Sequence, residues 1–381
     1  MTTTIDGSNE STFAAGVTCT SLNGGQLGGR RNIFYNGEMK VAQRSASTAG
    51  LGSTGAEFVL DRWALVANTG GSVTAGRVTM AQVADGPAGF ANCLKLTTTT
   101  ADTSIAAGEV LILSQRLEGQ DVQQLQKGTA TAKQVTVSLY VKGNANATYT
   151  CELFDRDNNR TIAQAFAVTT DWNRIELTFA ADTSDPLDDD NARSLDLQIF
   201  LHGGTTFSGG TFVNNTWADQ SNGTRMAESH TSILDSTNRT FFITGVQMEL
   251  GDTATEFERR SFGEELALCQ RYYHKLGYTS GGRFAAGMAA TATLGEVIIN
   301  FPTTMRISPT ALEQSGTASD YQMLYQGGNK VCDAVPLFKT STQNNACIRL
   351  TDSDAGMSVG FAILGRYGTS DTGFLAWSVE L

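Results

Sequence analysis

Five prolines, three histidines and six cysteines among 381 residues leave little material for several common kinds of protein. Cys19, Cys93, Cys151, Cys269, Cys332 and Cys347 contain no C-x-x-C pair, which excludes a zinc knuckle and a dithiol redox motif. A Cys332 to Cys347 bridge rests on proximity alone, and two reduced thiols are the alternative. His202, His230 and His274 stand apart and lack the H-E-x-x-H spacing that sets two ligands on one helix face. No catalytic metal and no cofactor are therefore expected. Basic residues are outnumbered 27 to 38, for a net charge of −11, whereas nucleic-acid affinity needs Lys and Arg to neutralise phosphates. No stretch approaches the roughly 18 apolar residues of a membrane span, so no membrane insertion is expected. Residues 1–30 have no basic start followed by an apolar run, so synthesis in a cytoplasm is expected.

What is abundant is glycine, 40 residues of it, with many Thr, Ser and Asn and a hydrophobic content of 40%. That mixture fits short strands joined by tight turns, hence an all-β protein, and the length implies two or three domains. Residues 1–30 lack hydrophobic periodicity and read as an N-terminal attachment arm, ordered only against a neighbour; a plain disordered terminus is the alternative.

From Asn32 the chain alternates apolar and polar residues. Val135, Val137, Leu139 and Val141 form one such face; Ile175, Leu177 and Phe179 a second; Leu195, Leu197, Ile199 and Leu201 a third. Phe242, Val246, Met248 and Leu250 repeat the pattern. Strands that bury one face each pack as two facing sheets, and Asp155 to Asn159 supplies a hairpin turn between two of them. Val297 to Phe301, Gly360 to Leu364 and Phe374 to Val379 read as strands of a smaller β domain over 278–381. No repeat of fixed period is visible.

One helix interrupts this pattern. Ser261 and Glu264 form a capping box, so a helix starts there and is assigned to 259–277 as a link between the two domains. Phe262, Leu266, Cys269, Tyr273 and Leu276 follow at a/d spacing, which suggests an axis shared between copies of the chain. Packing of the same stripe on its own domain's sheet is the alternative.

Three groups of residues carry a family resemblance. Arg31-Asn-Ile-Phe-Tyr-Asn-Gly-Glu-Met-Lys-Val-Ala-Gln-Arg44 with Phe58-Val-Leu-Asp-Arg-Trp63 forms the first. Leu113-Ser-Gln-Arg-Leu-Glu-Gly119 with Val135-Thr-Val-Ser138 and Asp171-Trp-Asn-Arg174 forms the second, and Gly245-Val-Gln-Met-Glu-Leu-Gly251 through Tyr273 the third. Together they resemble a domain of bacteriophage tail-fibre and virion structural proteins that is similar to carbohydrate-binding-module jelly rolls. The resemblance implies a jelly-roll β-sandwich over 31–258 and a virion setting, and it carries no catalytic residue.

Other motifs are weaker. Gly356-Met-Ser-Val-Gly360 matches G-x-S-x-G, but no histidine follows Ser358, so a hydrolase elbow is not expected. Asp155, Asp157 and the run Asp185-Pro-Leu-Asp-Asp-Asp190 could hold Ca²⁺ or simply form solvated turns. A glycan needs aromatic platforms, for which Trp217, Tyr321 and Tyr325 are the candidates, while Trp63 and Trp377 fall in apolar strand patterns and read as core. The expectation is a virion fibre or spike, non-catalytic and homotrimeric, assembled in the host cytoplasm. It would be joined to other virion proteins through the arm and attach to a host surface glycan. A head fibre, decoration or tail adaptor without receptor role, and an envelope-glycan depolymerase, are the alternatives.

Overall fold

A computed structural model describes residues 30–72, 76–277 and 279–381. The attachment arm expected over 1–30 therefore lies outside the described residues, Arg30 excepted.

The alternating segments pair into two antiparallel sheets, a sandwich of jelly-roll type. The first runs in the order Ser47–Leu51, Arg77–Val83, Cys93–Thr100, Thr240–Leu250, Val135–Gly143 and Asn173–Phe179. The second runs Ala218–Asp219, Arg160–Val168, Ala147–Asp155, Arg193–Gly203, Glu109–Glu118, Ala64–Thr69 and Gly55–Phe58. Leu195, Leu197, Ile199 and Leu201 meet Val137, Leu139, Val141 and Trp63 between the sheets, all essentially dry. The turn after Asp155 closes a hairpin in which Asp155 pairs with Arg160.

Two strands depart from simple alternation. In Thr240–Leu250 the register shifts between Thr244 and Gln247, where Gly245 adopts φ +61°. This bulge reverses parity, so Phe241 and Ile243 join Val246 and Met248 in the core while Phe242 turns outward against Trp172. In Arg193–Gly203 the outward residues Asp196, Gln198, Phe200 and His202 are also buried, so this strand is covered on both faces.

The helix spans Phe262–Gln270 and carries the expected cap: Ser261 Oγ accepts from the Glu264 amide at 3.3 Å, and the Glu264 carboxylate accepts from the Ser261 amide at 3.0 Å. It is shorter than the 259–277 link read from the sequence. Tyr273 and Leu276 belong instead to a strand, Tyr273–Leu276, that pairs with Leu375–Ser378. Tyr-Tyr-His is a poor continuation of a helix and a good strand, and pairing satisfies its backbone. The five-residue stripe is thus not one helical seam. Glu265 and Cys269 are its buried side, Leu266 is half-buried and Phe262 remains 58% exposed.

Beyond the helix lies a separate core of Trp377, Tyr321, Tyr367, Met323, Val297 and Ile348. It fills the space beneath a seven-stranded antiparallel sheet ordered Gly328–Val331, Tyr321–Tyr325, Ala362–Tyr367, Arg283–Ala289, Leu294–Asn300, Asn345–Thr351 and Ala334–Ser341. Tyr273–Leu276, Leu375–Ser378 and Glu313–Gln314 form a small third sheet.

The two cores are joined by buried charge. Arg62, 1% exposed, pairs with Glu380 and donates to the Arg116 carbonyl. Arg44 reaches Glu380 at 3.2 Å and stacks 3.6 Å over the Tyr273 ring. Arg306 bridges the Val379 and Asn191 carbonyls, each at 2.9 Å.

Candidate functional site

Burial reassigns two of the three aromatic residues nominated for glycan stacking. Tyr321 is fully buried, its hydroxyl donating to the Phe374 carbonyl at 2.6 Å, and Tyr325 is 7% exposed with its hydroxyl accepting from the Ser358 amide at 2.8 Å. Both are interior supports of the smaller domain, so neither offers a ring face to a sugar. Trp217 is half-buried against the sandwich core, donates through Nε1 to the Ala180 carbonyl at 2.8 Å and lies 5.3 Å from the Lys127 ammonium. Its indole locks a loop.

The acidic loops hold a cation of the chain's own. Lys127 Nζ lies 2.6 Å from Asp155, 3.1 Å from Asp182, and 3.0 and 2.8 Å from the Ser184 and Asp185 carbonyls. An ammonium with several oxygen ligands stands where the sequence left Ca²⁺ as one reading. Among the described residues no cluster of His, Cys, Asp and Glu is arranged to hold a metal ion, and Cys332 and Cys347 are free thiols. Burial drives His230 down to about 3 and His274 to about 4, so neither titrates near neutral pH.

The outward face of the second sheet is also closed. Residues 204–235 fold across it, seating Phe207 and Met226 on Phe200, Ile112 and Val110. Arg225 inserts between Phe154 and Phe200, 5.0 Å from each ring, and donates to Glu152 at 2.8 Å and Gln198 at 2.9 Å. Arg156 and Arg193 hold Asp196 at 2.6 and 2.7 Å. These polar groups satisfy one another, and the rings are covered.

Of the open clefts among the described residues, two of about 440 and 320 Å³ lie beside Lys275 and Lys127, and one of about 490 Å³ lies where the sandwich, the helix and the smaller domain meet. This volume lies within the range of ligand sites, roughly 300 to 1,000 Å³. Ile33, Ala267 and Leu268 give it an apolar wall; Tyr35, Asp121, Gln124, Arg271 and Thr303 supply its polar groups. Local sequence explains each placement. The strand Glu109–Glu118 runs directly into the turn Gly119–Val122, which raises Asp121, and the following turn presents Gln124. Tyr35 is clamped by Gln115, whose amide exchanges two 2.8 Å hydrogen bonds with the Tyr35 backbone. The Tyr35 hydroxyl donates to Asp121 Oδ2 at 2.7 Å, while Oδ1 accepts no hydrogen bond from the described residues.

Glu118, beneath the cleft, is fully engaged. It accepts twice from Arg271, both at 2.7 Å, and again from Gln120 and the Tyr272 hydroxyl. Burial alone would raise its carboxyl, but the Arg271 and Tyr272 hydrogen bonds outweigh that and hold it below the ordinary value of 4.5. Asp121 goes the other way: burial pushes it up, the Tyr35 hydrogen bond offsets only part, and the Glu118 charge adds to the rise. The two carboxylates therefore differ in role, one a fixed brace and the other an available acceptor. Glu264, at the rim, is tied to Arg30 and Ser261.

None of the cleft residues was singled out as a ligand site from the sequence. Tyr35 falls inside the first resemblance segment, but Asp121 and Gln124 follow the second in a turn with no motif of its own. The motif residues themselves are structural. Asn36 at φ +52° binds the carbonyls of Val41 and Asp61 and receives Trp63 Nε1 on its own carbonyl, and Gln43 clasps Asp61 at 2.6 Å twice.

No protein family and no curated protein matches this chain. Among solved structures, one described as "CBM4 structure and function" is similar over 56% of this chain and 97% of its own, at 13% identity and a TM-score of 0.30. A family 11 carbohydrate-binding module of Clostridium thermocellum covers 54% of this chain and 99% of its own, at 13% identity and a TM-score of 0.27. A module described as TmCBM61 in complex with beta-1,4-galactotriose covers 58% and 99%, at 10% identity and a TM-score of 0.26. Scores this low leave each neighbour's ligand with the neighbour.

Proposed function

We propose that this chain is a non-catalytic glycan adhesin of a bacteriophage particle, a fibre or spike of three copies made in the host cytoplasm, with the junction cleft as its saccharide site. The observation that carries the ligand class is the free Asp121 oxygen beside Gln124, Thr303 and a partly apolar wall containing Tyr35. A carboxylate, an amide and a hydroxyl can hold sugar hydroxyls while apolar surface receives the ring's C–H face. The virion setting is supported by the three resembling segments, and three copies would convert a weak single site into avidity. Binding is favoured over hydrolysis because glycoside cleavage ordinarily uses two working carboxylates, and here Glu118 and Glu264 are both committed to structural partners.

Calorimetry against bacterial surface polysaccharides, after a glycan array, tests this reading with the full chain and Asp121→Ala. Loss of a hydrogen bond to a charged group, worth about 1.5 to 3 kcal/mol, should weaken binding by at least tenfold. Binding that ignores the substitution would move the site elsewhere. Release of reducing ends by the purified protein would overturn the non-catalytic assignment.

A further inference from the structure

Among the described residues, the smaller domain buries one face of its seven-stranded sheet and leaves the other uncovered. Register puts Leu324, Leu364, Ala286, Ile298 and Cys347 side by side in one row across five adjacent strands. The next row on the same face is Ala362, Met288, Glu296, Arg349 and Leu337. Met288, Ile298 and Leu337 are 57%, 56% and 55% exposed, values that mark an uncovered surface rather than a poorly filled core. Isolated exposed hydrophobics are ordinary, but two adjoining rows built largely from them are a patch, and such patches mark interaction sites.

We infer that this face is covered by a second copy of the same chain. The inference rests on the multi-copy part of the proposed adhesin and names the surface that joins the copies. Two observations select this occupant. The first is charge. Residues 278–381 hold six basic and eight acidic residues, net −2 of the chain's −11, so most of the repulsion between copies sits on the rest of the molecule. Within the patch, Glu296 and Arg349 are cross-strand neighbours at 2.7 Å, with 32% and 27% of their side chains exposed. A patch with one acid beside one base can meet its own copies, since around a threefold axis the acid of each copy can face the base of the next. The second is size. Seven strands about 4.8 Å apart, each about six residues of about 3.3 Å, give a footprint near 30 by 20 Å, in which the two apolar rows are flanked by a polar row of Gln322, Arg366 and Arg283; this approaches the roughly 800 Å² that each partner contributes to a standard interface.

The helix stripe offers less apolar surface: Cys269 is buried within the chain itself, Leu266 is half-buried, Tyr273 and Leu276 lie on a strand, and Phe262 stands exposed.

The test is light scattering coupled to size exclusion on the full-length protein, with charge variants of the patch. Wild type should elute at a multiple of 40.6 kDa. Ile298→Asp, at an exposed position, should give the 40.6 kDa monomer with a cooperative melting transition that no longer depends on concentration. Glu296→Arg and Arg349→Glu should each be monomeric alone, because the face then carries two like charges, whereas the double variant Glu296→Arg/Arg349→Glu, again one acid beside one base, should assemble. Single variants that melt like Ile298→Asp and a double variant that assembles are a pattern that simple misfolding cannot produce. A monomeric wild type would overturn both this interface and the multi-copy part of the adhesin. A wild-type oligomer that survives Ile298→Asp and both charge reversals would overturn the interface alone.

Discussion

The two sheets with an outward face to cover solve the problem in opposite ways. In the sandwich, residues 204–235 cross the outer face of the Arg193–Gly203 sheet and bury Phe200 and Asp196, with Arg225 and Arg156 pairing the carboxylates beneath. In the smaller domain no segment among the described residues crosses the sheet, and Ile298 and Met288 stand open. A buried polar network demands that every partner be present, because an unpaired charge in a dry site is costly, whereas an open apolar face tolerates change within one copy. One region is finished by its own chain. The other leaves one face of its sheet open among the described residues.

That contrast can be broken experimentally, and the largest effects belong to the closed region. Lys127→Met would leave the buried Asp155 without a cation, Asp182 keeping Arg160, and should cost about 3 kcal/mol in urea unfolding. A loss below about 1 kcal/mol would show that water already shares the site. Arg225→Met, which leaves Glu152 unpaired, should behave alike. At the junction, Glu380→Ala should leave the buried Arg62 guanidinium without its carboxylate, lowering stability by about 3 kcal/mol and separating the melting of the two domains in calorimetry. A single unshifted transition would mean that Arg306 and the strand pairing suffice to couple them.

Acidification should act in two steps. The Glu118 carboxyl is lowered in the folded protein, so its contribution to stability is full above its unfolded value of 4.5 and is lost as pH falls through the lower folded value. Glu118→Gln should flatten this part of the stability curve. Asp121 is raised above 3.8, so saccharide binding should weaken on acidification at a higher pH than an ordinary aspartate would impose, before the fold yields. Binding and unfolding that track one another would contradict the separation of roles. The smallest effect is expected on the open sheet: Ile298→Asp should change monomer stability by less than about 0.5 kcal/mol.

Much of this architecture was legible because period-two alternation is a local signal. It predicted the strands around Val135, Ile175, Leu195 and Val297, and the capping box located the helix start. Three things were not legible for physical reasons. Parity through Gly245 depends on a bulge, which reverses every later residue without altering the apparent pattern. The end of the helix at Gln270 is set by pairing with Leu375–Ser378, more than a hundred residues away in sequence. The cleft assembles Tyr35, Asp121, Gln124 and Thr303 from three regions of the chain, and no local spacing can report that. Aromatic side chains in polar stretches pointed to Tyr321 and Tyr325 because composition cannot tell a ring that faces solvent from one that fills a small domain's core.

Hydrogen exchange of the full-length protein, read by mass spectrometry over a range of concentrations, tests the contrast most directly. Amides of Arg283–Ala289, Leu294–Asn300 and Ala362–Tyr367 should gain protection as concentration rises, while those of Ala147–Asp155 and Arg193–Gly203 stay equally protected throughout. Equal, concentration-independent exchange in both sheets would contradict the account, since the smaller domain would then need no second copy to complete it.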